Sequence, residues 1–207
     1  MNLKEEVKNN EVKSNVEDLE LYSDNFPFRL ALRISTFENE VSYKKFLKNT
    51  EMLIRRCNEY KLWRNYIIDI LQIDTCMITN ESIQELTIDV HHHVPSLFTL
   101  VSGIVNKKIE NNESFCSFDI ASESIGLHFK NKIGFITLIK SMHEKFHNGY
   151  LDIPIEYVKG DYSYFMNEYG KYLDEVDIDT IQSRLATHSH NCSWVKDEYP
   201  LAQTGVS

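Results

Sequence analysis

Nowhere does this 207-residue chain offer the run of roughly 20 apolar residues that a membrane-spanning helix needs. The first 25 residues, with seven acidic and three basic side chains, lack the apolar stretch of a secretory signal. There is no CxxC pair: Cys57, Cys76, Cys116 and Cys192 are widely separated, which argues against a cysteine-based zinc knuckle. In a reducing compartment these thiols stay free. Cys57 and Cys76 lie in apolar surroundings and read as core residues, with their mutual pairing left open. The seven glycines form neither a phosphate-cradling loop nor a G-x-S-x-G elbow. No internal repeat or low-complexity tract is present. Net positive charge is also missing. At −9 the chain runs against the usual balance of a nucleic-acid binder, which wants Lys and Arg for phosphate contacts.

What is present is enough for a folded protein, since 42% of the residues are hydrophobic and 12% aromatic. Residues 1–24 are dense in charge and read as a flexible acidic leader. "PFRLALRISTF" (27–37) alternates like a strand, and residues 42–67 carry apolar side chains at helical spacing. "YIIDILQID" is either a helix end or a strand. "QELTIDVHHH" is β-branched and alternating, so a strand is expected there. Pro95-Ser96 should open a helix to about Asn106, and "FDIASESIGLHFKN" a second one. "GFITLI" reads as a short buried strand, and "KSMHEKFHNG" as a helix stopped by Gly149. After extended "YLDIPIEYV", Asp161 is a plausible N-cap for an aromatic helix, and "DIDTIQSRLATHS" a last helix before an irregular tail. The sequence thus divides into the leader, an α/β region at 25–80, a third segment at 81–150, and a helical extension with tail at 151–207.

That third segment holds five of the eight histidines: His91, His92 and His93 at the strand end, and His143 and His147 on the helix. Neutral imidazole is the commonest metal ligand and titrates near neutrality. Histidines at i and i+4 of a helix project from one face and can chelate one ion. On a regular strand His91 and His92 point to opposite faces, unless the strand ends there and the chain turns. His188, His190 and Cys192 suggest a second metal site, but tail histidines with irregular flanks are usually solvated. Tyr162, Tyr164, Phe165, Tyr169 and Tyr172 fit core packing better than a base-stacking surface. Arg55-Arg56 and Lys107-Lys108 read as solvated basic faces.

Strand–His-His, a second short strand, then a helix bearing His-x-x-x-His before Gly resembles the HNH, or ββα-metal, endonucleases. The likeness is nearest to the nuclease domains of colicin-type toxins. Asp89, Val90, His91, His92 and Pro95 hold the places of the first motif. The resemblance covers roughly 86–150. It implies an α+β fold with a ββα-metal core carrying an inserted helical segment, between a mostly helical N-terminal region and C-terminal helices. A looser likeness is to bacteriophage-encoded HNH proteins of about this size. The implied ligands are His91, His143 and His147, for one divalent ion (Zn, Mg, Mn or Ni). His92 is then the base that deprotonates water, and Lys140 and Lys145 would touch flanking phosphates. An alternative register makes His92 the ligand and His93 the base; the Pro95 alignment prefers the first, with His93 either facing solvent or lying just behind the ligands. Two departures stand out. Gly134 occupies the place of the family's middle Asn, with Asn131 nearby as a possible substitute, and fifty residues separate His92 from His143.

The resulting expectation is a metal-dependent endonuclease acting on nucleic acid, DNA rather than RNA, in the cytoplasm (the host's, for a phage protein) and without a membrane partner. The alternative is a catalytically degenerate relative with a structural metal, whose acidic surface binds a protein or regulates.

Overall fold

A computed structural model describes residues 37, 39–82 and 86–192. The acidic leader, most of the strand expected at 27–37 and the end of the tail lie outside the described residues. The chain is α+β: mostly helical, with one small antiparallel sheet of two strands.

α1 (Glu40–Arg56) starts at Asn39, whose side chain accepts from the Ser42 amide at 2.9 Å in a reciprocal cap. The single helix expected over 42–67 is broken. Cys57 takes an extended conformation (ψ 155°), its thiol donates to the Ile54 carbonyl, and a new helix, α2 (Asn58–Asn65), starts after it. A π-helical turn, Tyr66–Ile70, ends this segment, which decides the ambiguous "YIIDI" against a strand. Cys76 is fully buried and all four cysteines are free thiols.

β1 (Ile88–Val94) pairs antiparallel with β2 (Gly134–Ile139), His91 opposite Ile136 and His92 opposite Phe135. Between the strands the chain makes two helices, α3 (Leu97–Glu110) and α4 (Ser117–Phe129). α3 begins where expected, with the Ser96 hydroxyl accepting from the Thr99 amide. β2 runs straight into α5 (Lys140–His147), which Gly149 closes at φ +73°. α6 (Tyr162–Tyr169) is capped by Asp161, and α7 (Glu175–Leu185) follows after a 3₁₀ turn.

The sheet separates two cores. One face packs on the helices through Val90, Phe135, Trp63, Leu100, Ile104 and Phe165. The other covers Ile136, Leu138, Met142, Leu151 and Ile153. Of the tyrosine-rich segment, Phe165, Tyr169 and Tyr172 are buried, and Tyr162 and Tyr164 lie partly buried against the helical core. Packing, not base stacking, occupies these rings.

Gly134 has a steric cause. A Cβ there would come within 2.6 Å of the Val94 carbonyl oxygen and 3.0 Å of Val158, so the close strand approach leaves no room for Asn. Asn131 sits in the turn after α4 at φ +56°, where its carbonyl accepts from the Asp161 amide.

Candidate metal centre

The antiparallel ribbon and the helix that leaves it bring β1 and α5 side by side. His91 points from β1 toward α5, and one turn separates His143 from His147 on the facing helix. The His143 Nε2 atom lies 2.9 Å from His91 Nδ1 and 2.9 Å from His147 Nε2. Among the described residues these are the one group of three or more His, Cys, Asp or Glu whose ligand atoms converge, all within 4.8 Å of one another. Three nitrogens on a tetrahedral ion at the usual Zn–N length would stand about 3.3 Å apart. Burial grades across the site: His91 is buried, His143 intermediate and His147 exposed, so the cluster opens to solvent along one side.

Protons cannot satisfy this arrangement well. His143 Nδ1–H donates to Asp89 Oδ2 at 3.3 Å, which leaves Nε2 as a bare lone pair. Two ring nitrogens then compete for that single acceptor. Whichever of His91 Nδ1 and His147 Nε2 does not donate sets a second lone pair 2.9 Å from that of His143, and His91 Nε2 is buried without a partner in either tautomer. A divalent cation meets all three lone pairs at once, so the donor set fits a metal. Burial pushes the His91 pKa down to about 2, helped by the neighbouring His143, His93 and His147, so the ring is neutral and ready to ligate. Burial, then His143 and Arg184, also lowers that of His147.

Asp89 lies behind His143 and is itself met by Arg64, 3.4 Å from Oδ1. A carboxylate behind a ligating imidazole fixes its tautomer and raises its basicity. Asp89→Asn is therefore expected to weaken zinc binding by about 10–100-fold with little change in fold, read by competition with a chromogenic chelator. Unchanged affinity would remove Asp89 from the site.

His92 lies elsewhere. Strand alternation turns it to the helical side of the sheet, where it is 5% exposed. It stacks on Tyr60 and contacts Trp63. His128 Nδ1–H donates to the Ser124 carbonyl at 2.7 Å, which leaves His128 Nε2 as an acceptor; His92 Nε2–H then donates to it across 2.7 Å. Burial holds His92 well below its ordinary pKa and brings His128 to about 4. This pair is neutral, buried and on the opposite face of β1 from the three converging rings. The strand runs on to Val94, so the turn that would have brought His91 and His92 together is not made.

His93 is no solvent-facing bystander, being 1% exposed. It occupies an irregularity in the ladder, where the pairing skips from His92–Phe135 to Val94–Gly134. Its ring lies on the His91 side, and both rings flank Phe146 at 5.4 and 4.9 Å. Burial, then the Arg184 charge, brings its pKa down to about 3.

Lys140 and Lys145 are exposed on α5, and Lys140 Nζ lies 3.8 Å from Glu144. The other basic groups singled out in the sequence mostly meet carboxylates: Arg55 pairs with Glu51, Lys107 with Glu168, and Lys108 with Glu113 and Glu123. His188 donates to Glu156 and stacks on His190. Three participants carried no local sequence signal as such: Asp89 as the partner of His143, His128 as the partner of His92, and Arg184, which packs over Phe146.

One family model matches the chain, that of the bacteriophage G278-like virion protein, over residues 1–199. No curated protein and no solved structure matches it. No helix among the described residues is long and apolar enough to cross a membrane.

Proposed function

The chain belongs to the bacteriophage G278-like virion protein family, and on that premise we propose that it is a metal-dependent phosphodiester hydrolase with an HNH-like ββα-metal centre. The observation that carries this reading is the convergence of His91, His143 and His147 on one point, with Asp89 behind His143 and one side open. Three protein ligands with a free position are the pattern of catalytic zinc; structural zinc is closed by four. The order of parts also supports it. Two antiparallel strands run directly into a helix, the ligands come from the first strand and that helix, and α3 with α4 accounts for the long insertion.

When bound, a divalent ion supplies Lewis acidity toward a phosphate oxygen and acidifies water. The chain's own residues hold and orient it. His91 anchors the site from the rigid ribbon, His143 is kept in one tautomer by Asp89, and exposed His147 forms the rim toward substrate. Lys140 and Lys145, on the same helix, are placed to meet flanking phosphates of a nucleic acid, DNA in the first instance. His92 is committed to His128 on the other face of β1, so it is not placed to take a proton from water at this centre, whose open side is the rim formed by His147.

A second reading is favoured by that same His92 placement and by Gly134 in the Asn position: a metal-stabilised phage module whose acidic surface engages protein. Supercoiled plasmid and single-stranded DNA or RNA with Mg2+, Mn2+, Ni2+ or Zn2+, with wild type and His147→Ala, separate the two. Metal-dependent cleavage lost in the variant supports the hydrolase. Stoichiometric metal binding with no cleavage of any substrate overturns it in favour of the structural role.

A further inference from the structure

A cleft of ≈ 420 Å³ opens beside the metal centre, between α7 and the irregular end of β1, lined by His93, Phe146, Ile153, Ser183 and Arg184 among others. We propose that this cleft binds one phosphodiester group of the substrate, held by the Arg184 guanidinium and the His93 imidazole. The proposal rests on the hydrolase reading for its substrate class and on the cleft's own chemistry for its location.

Two polar groups in it lack what their burial demands. His93 is 1% exposed, yet neither ring nitrogen has a hydrogen-bond partner among the described residues. The Ile153 backbone lies alongside without completing a bond. A buried polar side chain left open in this way calls for a ligand or an ordered water. Arg184 lines the same cleft. One of its amino groups donates to the His93 carbonyl at 2.5 Å, and burial lowers its pKa against the charge of Asp177, which acts on it without an ion-pair contact. A guanidinium has five donors in a planar fork suited to two oxygens of a phosphate, and most of this one is uncommitted. Ser183 adds a hydroxyl, whereas those of Thr180 and Thr187 already donate to the α7 backbone.

The cleft and the metal centre share one wall. Arg184 lies 5.6 Å from the centre of the Phe146 ring, and that ring lies 4.9 Å from His91 and 5.6 Å from His147. An anion on Arg184 is thus separated from an ion held by the three histidines by one aromatic ring. Asp152 and Asp179, both exposed, stand at the rim. Their charge disfavours a dianion, so a singly charged phosphodiester suits the cleft better than a terminal phosphate.

The test uses the full chain without metal, titrated with dimethyl phosphate and, separately, with inorganic phosphate, followed by NMR of the Arg184 Nε–H and His93 ring signals. Dimethyl phosphate is expected to shift both groups, to bind more tightly than inorganic phosphate, and to lose about tenfold in affinity in Arg184→Gln. Arg184→Lys should recover part of it, and both variants should keep wild-type zinc affinity. Should Arg184→Gln not fold, Ser183→Ala and His93→Gln carry the same comparison, each weakening the anion. No shift at Arg184, shifts confined to His143 and His147, or binding indifferent to all these substitutions overturns the proposal. A wild type that binds the anion but no zinc defeats the metal centre alone, so the two failures are distinguishable.

Discussion

Replacing His147 with alanine is expected to lower zinc affinity by more than about a hundredfold, because removing a partner one bond further out already costs 10–100-fold. His147 is exposed on the last turn of a short helix, so its removal leaves no buried void. The melting temperature of the metal-free variant should match wild type, while the stabilisation that wild type gains from added zinc should disappear. Chelator competition and thermal melts with and without zinc read both. A variant that keeps wild-type affinity would show that the three imidazoles do not share an ion.

The second large effect belongs to His92, and it should appear in stability. His92→Ala removes a ring packed on Tyr60 and Trp63 and leaves the His128 acceptor without its donor. Truncating a large buried side chain and stranding a buried polar atom together cost about 3–5 kcal/mol, measured by urea denaturation. Zinc affinity of the folded fraction should change little, since His92 faces away from the ion. A general base would behave in the opposite way. Its alanine variant would fold as well as wild type, bind metal and fail only in cleavage, and that outcome would restore His92 to the chemistry.

These two residues also mark how far the sequence could be read. The strand and the helix were legible from β-branching and from the His-x-x-x-His spacing, because both patterns are local. Alternation on β1 already warned that His91 and His92 diverge. What the sequence lacked was the strand's end, and its continuation to Val94 sends His92 into the helical core. His128 was invisible as a partner: it lies 36 residues away on α4, and only the packing of α2 and α4 on the sheet brings the two rings together. The break at Cys57 was hidden for a related reason. The apolar spacing of a helix continues across it, and nothing as strong as proline or glycine marks the change of direction. Against a family motif Gly134 is a missing Asn, whereas in the fold it is the residue that lets the Val94 carbonyl approach β2. Arg184 and the irregularity at His93 depend on α7 returning to the sheet, which no local pattern predicts.

Everything proposed for this centre depends on His91, His143 and His147 holding one divalent ion with room for a further ligand. X-ray absorption spectroscopy of the zinc-loaded full chain measures this directly. The expected spectrum is one zinc per chain with three imidazole nitrogens at about 2.0–2.1 Å, an additional oxygen from solvent and no sulfur. Sulfur in the coordination shell, four protein ligands, or zinc without multiple imidazole scattering would contradict it.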